Sequence, residues 1–161
     1  EGAEGFWFHE GGEPFDRSRG YLYRNGRMFA GMTNIAVQLS DVGADDGGFA
    51  CLPGSHRANF PCPDDIRLFE AAQDRFVQIP AQAGDALLFV ECLMHGTLPW
   101  RATHQRRSVI MRYNNGVTSE GVMGTWNPPA WVEDLTEAQR AVITQPHYRG
   151  EDKGSALYRP K

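Results

Sequence analysis

The sequence predicts a mainly β, loop-rich protein, and three observations lead there. Glycine and proline are frequent, at 18 and 10 in 161 residues, and they punctuate the chain as turn formers do. Between them lie short apolar or alternating runs of strand length. Helical spacing recurs only in two short stretches, 61–76 and 135–143. The length suits one domain with a sizeable core. Residues 1–161 therefore read as a single domain, with the core in 6–113 and an irregular, partly helical extension in 114–161.

Each element has its own signal. Phe6-Trp7-Phe8-His9 reads as the end of a buried strand that delivers a histidine, before Glu10-Gly11-Gly12-Glu13-Pro14 breaks the pattern. Residues 15–27 read as a loop or lid closed by a small hairpin at Asn25-Gly26, a strong two-residue turn signal. Residues 29–39 form a strand. Its polar positions, Thr33 and either Gln38 or Asn34, line a pocket or meet solvent. The acidic loop 40–48 carries Asp41, Asp45 and Asp46 without the ligand order of a calcium loop, so it reads as a turn. Residues 49–52 make a short strand stopped by Pro53-Gly54-Ser55-His56, and His56 reads as a turn residue before a ligand. Ile66, Leu68, Phe69, Ala72 and Phe76 predict a surface helix after Pro63-Asp64. The apolar run Ala86 to Leu93 follows the Gly84-Asp85 turn and reads as a buried strand ended by His95-Gly96. A hairpin-like loop then leads to a second strand over 107–113. Thr136 and Gln139 supply a capping box for a helix reaching Ile143, and the tail after Pro146 has no apolar period.

Composition removes several function classes. A net charge of −4 and scattered basic residues argue against a nucleic-acid or anionic-membrane partner. No apolar run approaches the ~20 residues of a membrane span. Cys51, Cys62 and Cys92 are odd in number and lack CxxC spacing, which suits free thiols in a reducing compartment, hence a cytoplasmic expectation. Oligomeric state is open.

The chemistry concentrates in 80–113. Arg106 follows His95 by eleven positions, so a folded-back loop brings an imidazole and a guanidinium to one pocket. An imidazole binds a divalent metal and a guanidinium fork binds a carboxylate, so together they hold a metal-chelating acid by both ends. An oxygenase using 2-oxoglutarate requires this. His9 is the second candidate ligand, although alone it is equally a hydrogen-bonding strand-end histidine. Arg107 competes with Arg106 as anchor, and since neighbouring strand residues face opposite ways, only one points inward.

Four stretches together resemble the phytanoyl-CoA dioxygenase family of non-haem iron oxygenases: Asp45 to His56, Gly84 to Phe89, His95-Gly96-Thr97-Leu98-Pro99-Trp100 and Arg106-Arg107-Ser108. The resemblance spans about residues 6–113. It implies a double-stranded β-helix, also called a jelly roll or cupin-like barrel, with Fe(II) held at one mouth and 2-oxoglutarate as co-substrate. It further implies His95 as the distal ligand, Arg106 as the 2-oxoglutarate anchor and His9 as the first histidine of an H-x-D/E motif; the Ser108 hydroxyl and Thr33, on the polar face of its strand, are candidate further contacts to the co-substrate. Dioxygen and a small organic substrate complete the reaction, releasing succinate and CO2; the substrate is unspecified. Phe15, Tyr21, Tyr23, Trp100 and Trp126 are candidate lid aromatics.

Two departures from the family pattern shape the alternatives. Gly11 stands where a carboxylate is expected. The third ligand then comes from Glu10, Glu13 or Asp16, or is missing; a missing carboxylate suits a halogenase or a barrel that binds a small molecule without turnover. Little sequence precedes His9, so an N-terminally truncated member is expected.

Overall fold

The computed structural model describes residues 4–114 and 128–143. Expectations for Gly116, Trp126 and the tail beyond Pro146 fall outside the described residues. The chain divides into two compact units, Glu1–Arg112 and Tyr113–Lys161.

The first unit is built from two sheets and a hairpin. The strands are β1 (Phe6–His9), β2 (Tyr21–Arg24), β3 (Arg27–Ala30), β4 (Met32–Gln38), β5 (Gly48–Cys51), β6 (Val77–Gln78), β7 (Ala86–Val90), β8 (His95–Leu98) and β9 (Ser108–Asn114). One sheet runs β1-β8-β5-β6 and the other β7-β4-β9, with β2 and β3 forming a separate ribbon. The chain crosses between the two sheets from β4 to β5 and at each step from β6 to β9, as in a jelly roll. Asn25 and Gly26, at φ 53° and 72°, make the predicted tight turn between β2 and β3.

The sheets meet through side chains on their inner faces. Phe49 of β5 and Phe89 of β7 sit 4.8 Å apart, ring centre to ring centre. The other face of the four-stranded sheet holds an apolar cluster of Phe8, Ala50 and Met94, covered by Phe69 and Phe76. The Phe69 ring stacks on Phe8 at 5.2 Å, and Phe76 meets it tilted at 4.2 Å.

The predicted helix over 61–76 shrinks to one turn, α1 (Asp64–Arg67), and a 3-10 turn at Gln73–Arg75. Phe69 and Ala72 both take left-handed backbone angles, which end the helix. Bringing Phe69 and Phe76 together over Phe8 outweighs continuing a short surface helix.

Four further expectations change. The run Ala86 to Leu93 is strand only to Val90, and Leu88 in it is 69% exposed, because β7 edges its sheet. His95 opens β8 in the opposite sheet instead of closing β7. The predicted hairpin between these strands is absent, since β4 lies between β7 and β9. In β1 only Phe8 is buried.

In the second unit, a 3-10 segment (Ala130–Asp134) precedes α2 (Glu137–Ile143). The capping box forms: the Gln139 N–H donates to Thr136 Oγ1, and the Thr136 N–H donates to Gln139 Oε1 at 2.9 Å.

Candidate metal and 2-oxoglutarate site

His9 and His95 are directly paired across β1 and β8, with ring centres 4.3 Å apart. The pairing depends on two local features. Gly96 has no room for a side chain: a Cβ there would lie 2.8 Å from the Phe6 carbonyl oxygen and 2.9 Å from that of Trp7. Only glycine lets β1 approach β8 this closely. The register also shifts by one residue between Phe6↔Thr97 and His9↔His95. This bulge puts Phe6 and His9, three residues apart, on the same face. The turn at Ser55–Arg57 steadies the rung, since Ser55 Oγ accepts the Met94 N–H at 2.8 Å and Leu52 donates to the Met94 carbonyl.

Both imidazoles are oriented by backbone. His95 Nδ1 lies 2.6 Å from the Leu93 carbonyl and His9 Nδ1 lies 3.2 Å from that of Trp7. A carbonyl only accepts, so each Nδ1 carries a proton, and in the neutral ring Nε2 is left with the lone pair. That is the tautomer a metal ligand needs. Burial pushes the His95 pKa below its usual value, opposed by the Leu93 carbonyl and the Glu91 carboxylate. A neutral, lone-pair-bearing ring results.

A cavity of about 330 Å³ opens beside this rung. Phe6, Phe49 and Phe89 form its apolar wall, and Arg106, Ser108 and Arg112 line it from β9 and the residues before it. Arg106 points inward and is partly desolvated, which lowers its pKa; its Nε is buried without a hydrogen-bond partner. Arg107 turns outward and holds Gln105 Oε1 through Nε and Nη2. Gly48 provides the space for the inward guanidinium, with Arg106 Nε 3.1 Å from where its Cβ would stand. A larger cleft of about 840 Å³, bordered by Trp100 and the loop to Gln105, shares Arg106 and Thr97 with the cavity.

Thr33 does not line the cavity. β4 buries Met32, Asn34, Ala36 and Gln38 on one face, and Asn34 and Ala36 border the cavity. Thr33 faces the other way because strand side chains alternate, and Asn34 takes the cavity-lining position instead. Two of the expected lid aromatics have partners outside this cavity. Tyr21 packs edge-on against His56 at 4.8 Å, and Trp100 donates to the His104 carbonyl at 2.7 Å.

The candidate third carboxylates are engaged in their own loop. Arg19 donates to Glu10 at 3.0 Å, the Phe15 N–H donates to Glu13, and Asp16 accepts from Ser18 and Arg19. The Ser18 hydroxyl and N–H hold the Asp16 carboxyl below its usual pKa. Among the described residues, no group of three or more His, Cys, Asp or Glu side chains could hold a metal ion.

Sequence reasoning missed Arg112, which lines the cavity, and Glu91 beside it. Glu91 is buried at 4% exposure, accepts a hydrogen bond from Asn34 Nδ2, and lies 3.9 Å from Arg112. Its signal was a charge inside the apolar run Leu87 to Met94.

The fold and this cavity define the class: a jelly-roll protein in which two paired histidines and an inward arginine share one pocket. The family model for phytanoyl-CoA dioxygenase (PhyH) matches residues 10–108, and the chain belongs to that family. HygX from Streptomyces hygroscopicus, crystallised with nickel and 2-oxoglutarate, is similar at 27% identity and TM-score 0.59; the match covers 68% of this chain and 50% of HygX. HygX has also been crystallised with iron, and with nickel, 2-oxoglutarate and hygromycin B. AviO1 from Streptomyces viridochromogenes Tue57 shares the fold at 21% identity and TM-score 0.52, with 74% of this chain and 48% of AviO1 covered. The chain thus spans about half the length of these proteins. No curated protein sequence matches it.

Proposed function

We propose that this chain is the catalytic core of an Fe(II)/2-oxoglutarate-dependent oxygenase that hydroxylates a small organic substrate. The observation that carries this reading is the His9–His95 rung, with both Nδ1 atoms committed to backbone carbonyls and Arg106 on the same cavity. His9 and His95 would hold iron through Nε2. Bound iron supplies dioxygen activation, coupled to oxidative decarboxylation of 2-oxoglutarate to succinate and CO2 with oxygen transfer to a C–H bond. Arg106 binds the distal carboxylate of 2-oxoglutarate through its fork, in a partly desolvated place where such a bond is strong. Ser108, two positions on and on the same face, donates a hydroxyl hydrogen bond to the same end. Phe6, Phe49 and Phe89 keep water from the reacting carbon.

HygX binding of iron, 2-oxoglutarate and hygromycin B supports this cofactor set and a small-molecule substrate. No helix among the described residues is long and apolar enough to cross a membrane. Three free thiols fit a reducing, cytoplasmic setting.

Gly11 and the engaged loop carboxylates favour a second reading, in which halide takes the third iron position and the product is halogenated. The deciding experiment is anaerobic titration of Fe(II) and 2-oxoglutarate, following the visible charge-transfer band of the chelate. A band that disappears in His95→Ala supports the iron site, and chloride dependence of the product separates the two chemistries. Absence of any band, in this chain and in a longer chain extended at its N-terminus, favours a barrel that binds without turnover.

A further inference from the structure

Arg106, Ser108, Ile110 and Arg112 occupy alternate positions and all line the cavity. A guanidinium therefore stands at each end of one strand face, six residues apart, or ~20 Å between Cα atoms at ~3.3 Å per residue. In the oxygenase reading Arg106 is taken by the distal carboxylate of 2-oxoglutarate, which leaves Arg112 for a different group. We infer that Arg112 is the substrate-side anchor and that the substrate carries an oxyanion group: a carboxylate, phosphate or sulfate. This rests on the oxygenase reading above and names the substrate class for that site.

Three observations carry it. First, Arg112 has donors to spare. Its ion pair with Glu91 is 3.9 Å long, beyond hydrogen-bond distance, and its side chain is 60% exposed while that of Glu91 is 5% exposed. Second, Glu91 is held in place by the Asn34 amide, so it draws the guanidinium toward the cavity wall without occupying its fork. A planar fork drawn to one side by a nearby carboxylate, with its donors still open, suits bidentate capture of an oxyanion. Third, the site's charge is unbalanced. Arg106 and Arg112 bring two positive charges to the walls and Glu91 one negative charge beside them. Fe(II) and the 2-oxoglutarate dianion cancel each other. One positive charge is left over, because Gly11 stands in the place of the expected carboxylate.

The test is arginine side-chain NMR on the whole chain, with Zn(II) as a diamagnetic stand-in and saturating 2-oxoglutarate. Nε–H signals are assigned with Arg106→Lys and Arg112→Lys. Sodium acetate and methyl phosphate are titrated separately. The Arg112 signal should shift saturably with at least one anion, at least ten times more tightly than the exposed Arg101, and the site should vanish in Arg112→Gln. The tighter of the two anions tells carboxylate from phosphoryl substrates. Arg112 unmoved by both anions, or moving no more than Arg101, overturns the inference. Arg106 unmoved by 2-oxoglutarate overturns the oxygenase reading instead, so the two failures are distinct.

Discussion

Replacing Gly48 by alanine tests the 2-oxoglutarate end of the site through a position that touches no substrate. Gly48 has φ +81°, where an L-residue costs ~1–2 kcal/mol. Its added Cβ would lie 3.1 Å from Arg106 Nε and 3.4 Å from Cδ, closer than ordinary contact, so the guanidinium must shift by a few tenths of an ångström. The backbone cost alone lowers the melting temperature by roughly 2–8 °C for a chain of this size. The displaced fork adds a second effect. A hydrogen bond from a charged donor contributes ~1.5–3 kcal/mol, and losing the lower part of that range weakens 2-oxoglutarate binding about tenfold. Gly26→Ala is the control, with φ +72° and nothing within 4 Å of its Cβ. Melting curves and anaerobic 2-oxoglutarate titrations of both variants separate strain from displacement. Gly26→Ala should lose stability with unchanged binding, and Gly48→Ala should lose both. If Gly48→Ala melts lower yet binds 2-oxoglutarate like the parent chain, Arg106 is not the anchor and the reasoning is refuted.

Three other outcomes are expected. Asn34→Ala removes the donor that satisfies the buried Glu91 carboxylate and should destabilise the fold by ~1–3 kcal/mol in urea unfolding, with Asn34→Ala/Glu91→Gln recovering part of the loss; no recovery would separate the two side chains energetically. Metal-free stability should decline as pH falls below the ordinary histidine pKa of ~6.5, because burial depresses His56 and His95 in the folded chain and the unfolded chain takes up protons first; His56→Gln should flatten that slope, and an unchanged slope would exclude His56 as a contributor. His9→Ala and His95→Ala should each abolish the Fe(II)·2-oxoglutarate absorption band while leaving the far-ultraviolet circular dichroism of the fold intact, and a persisting band in either would remove that histidine from the ligand set.

Much of the fold was legible locally. The Asn25-Gly26 turn, the short strand before Pro53 and the Thr136 capping box each rest on a few neighbouring residues, and each formed where its signal lay. The helix over 61–76 failed because its apolar residues were needed elsewhere: Phe69 and Phe76 cover Phe8, a contact separated by some sixty residues that no local pattern contains. The hairpin failed because an apolar run looks the same whether it continues one strand or crosses between sheets, as it does after Val90.

The site divides in the same way. Residue types and order were enough to point to His9, His95 and Arg106 as candidates, because imidazole and guanidinium chemistry is local to each side chain. Which face each residue presents was decided by tertiary structure. Strand alternation sends Arg107 and Thr33 away from the cavity, and a one-residue bulge in β1 sets His9 opposite His95. Glu91 and Arg112 joined the site only when the crossing after β7 set a buried carboxylate beside Asn34 of β4 and near β9. A sequence records which groups are available; their distances depend on pairings between strands far apart in the chain, and charge and metal chemistry depend on those distances.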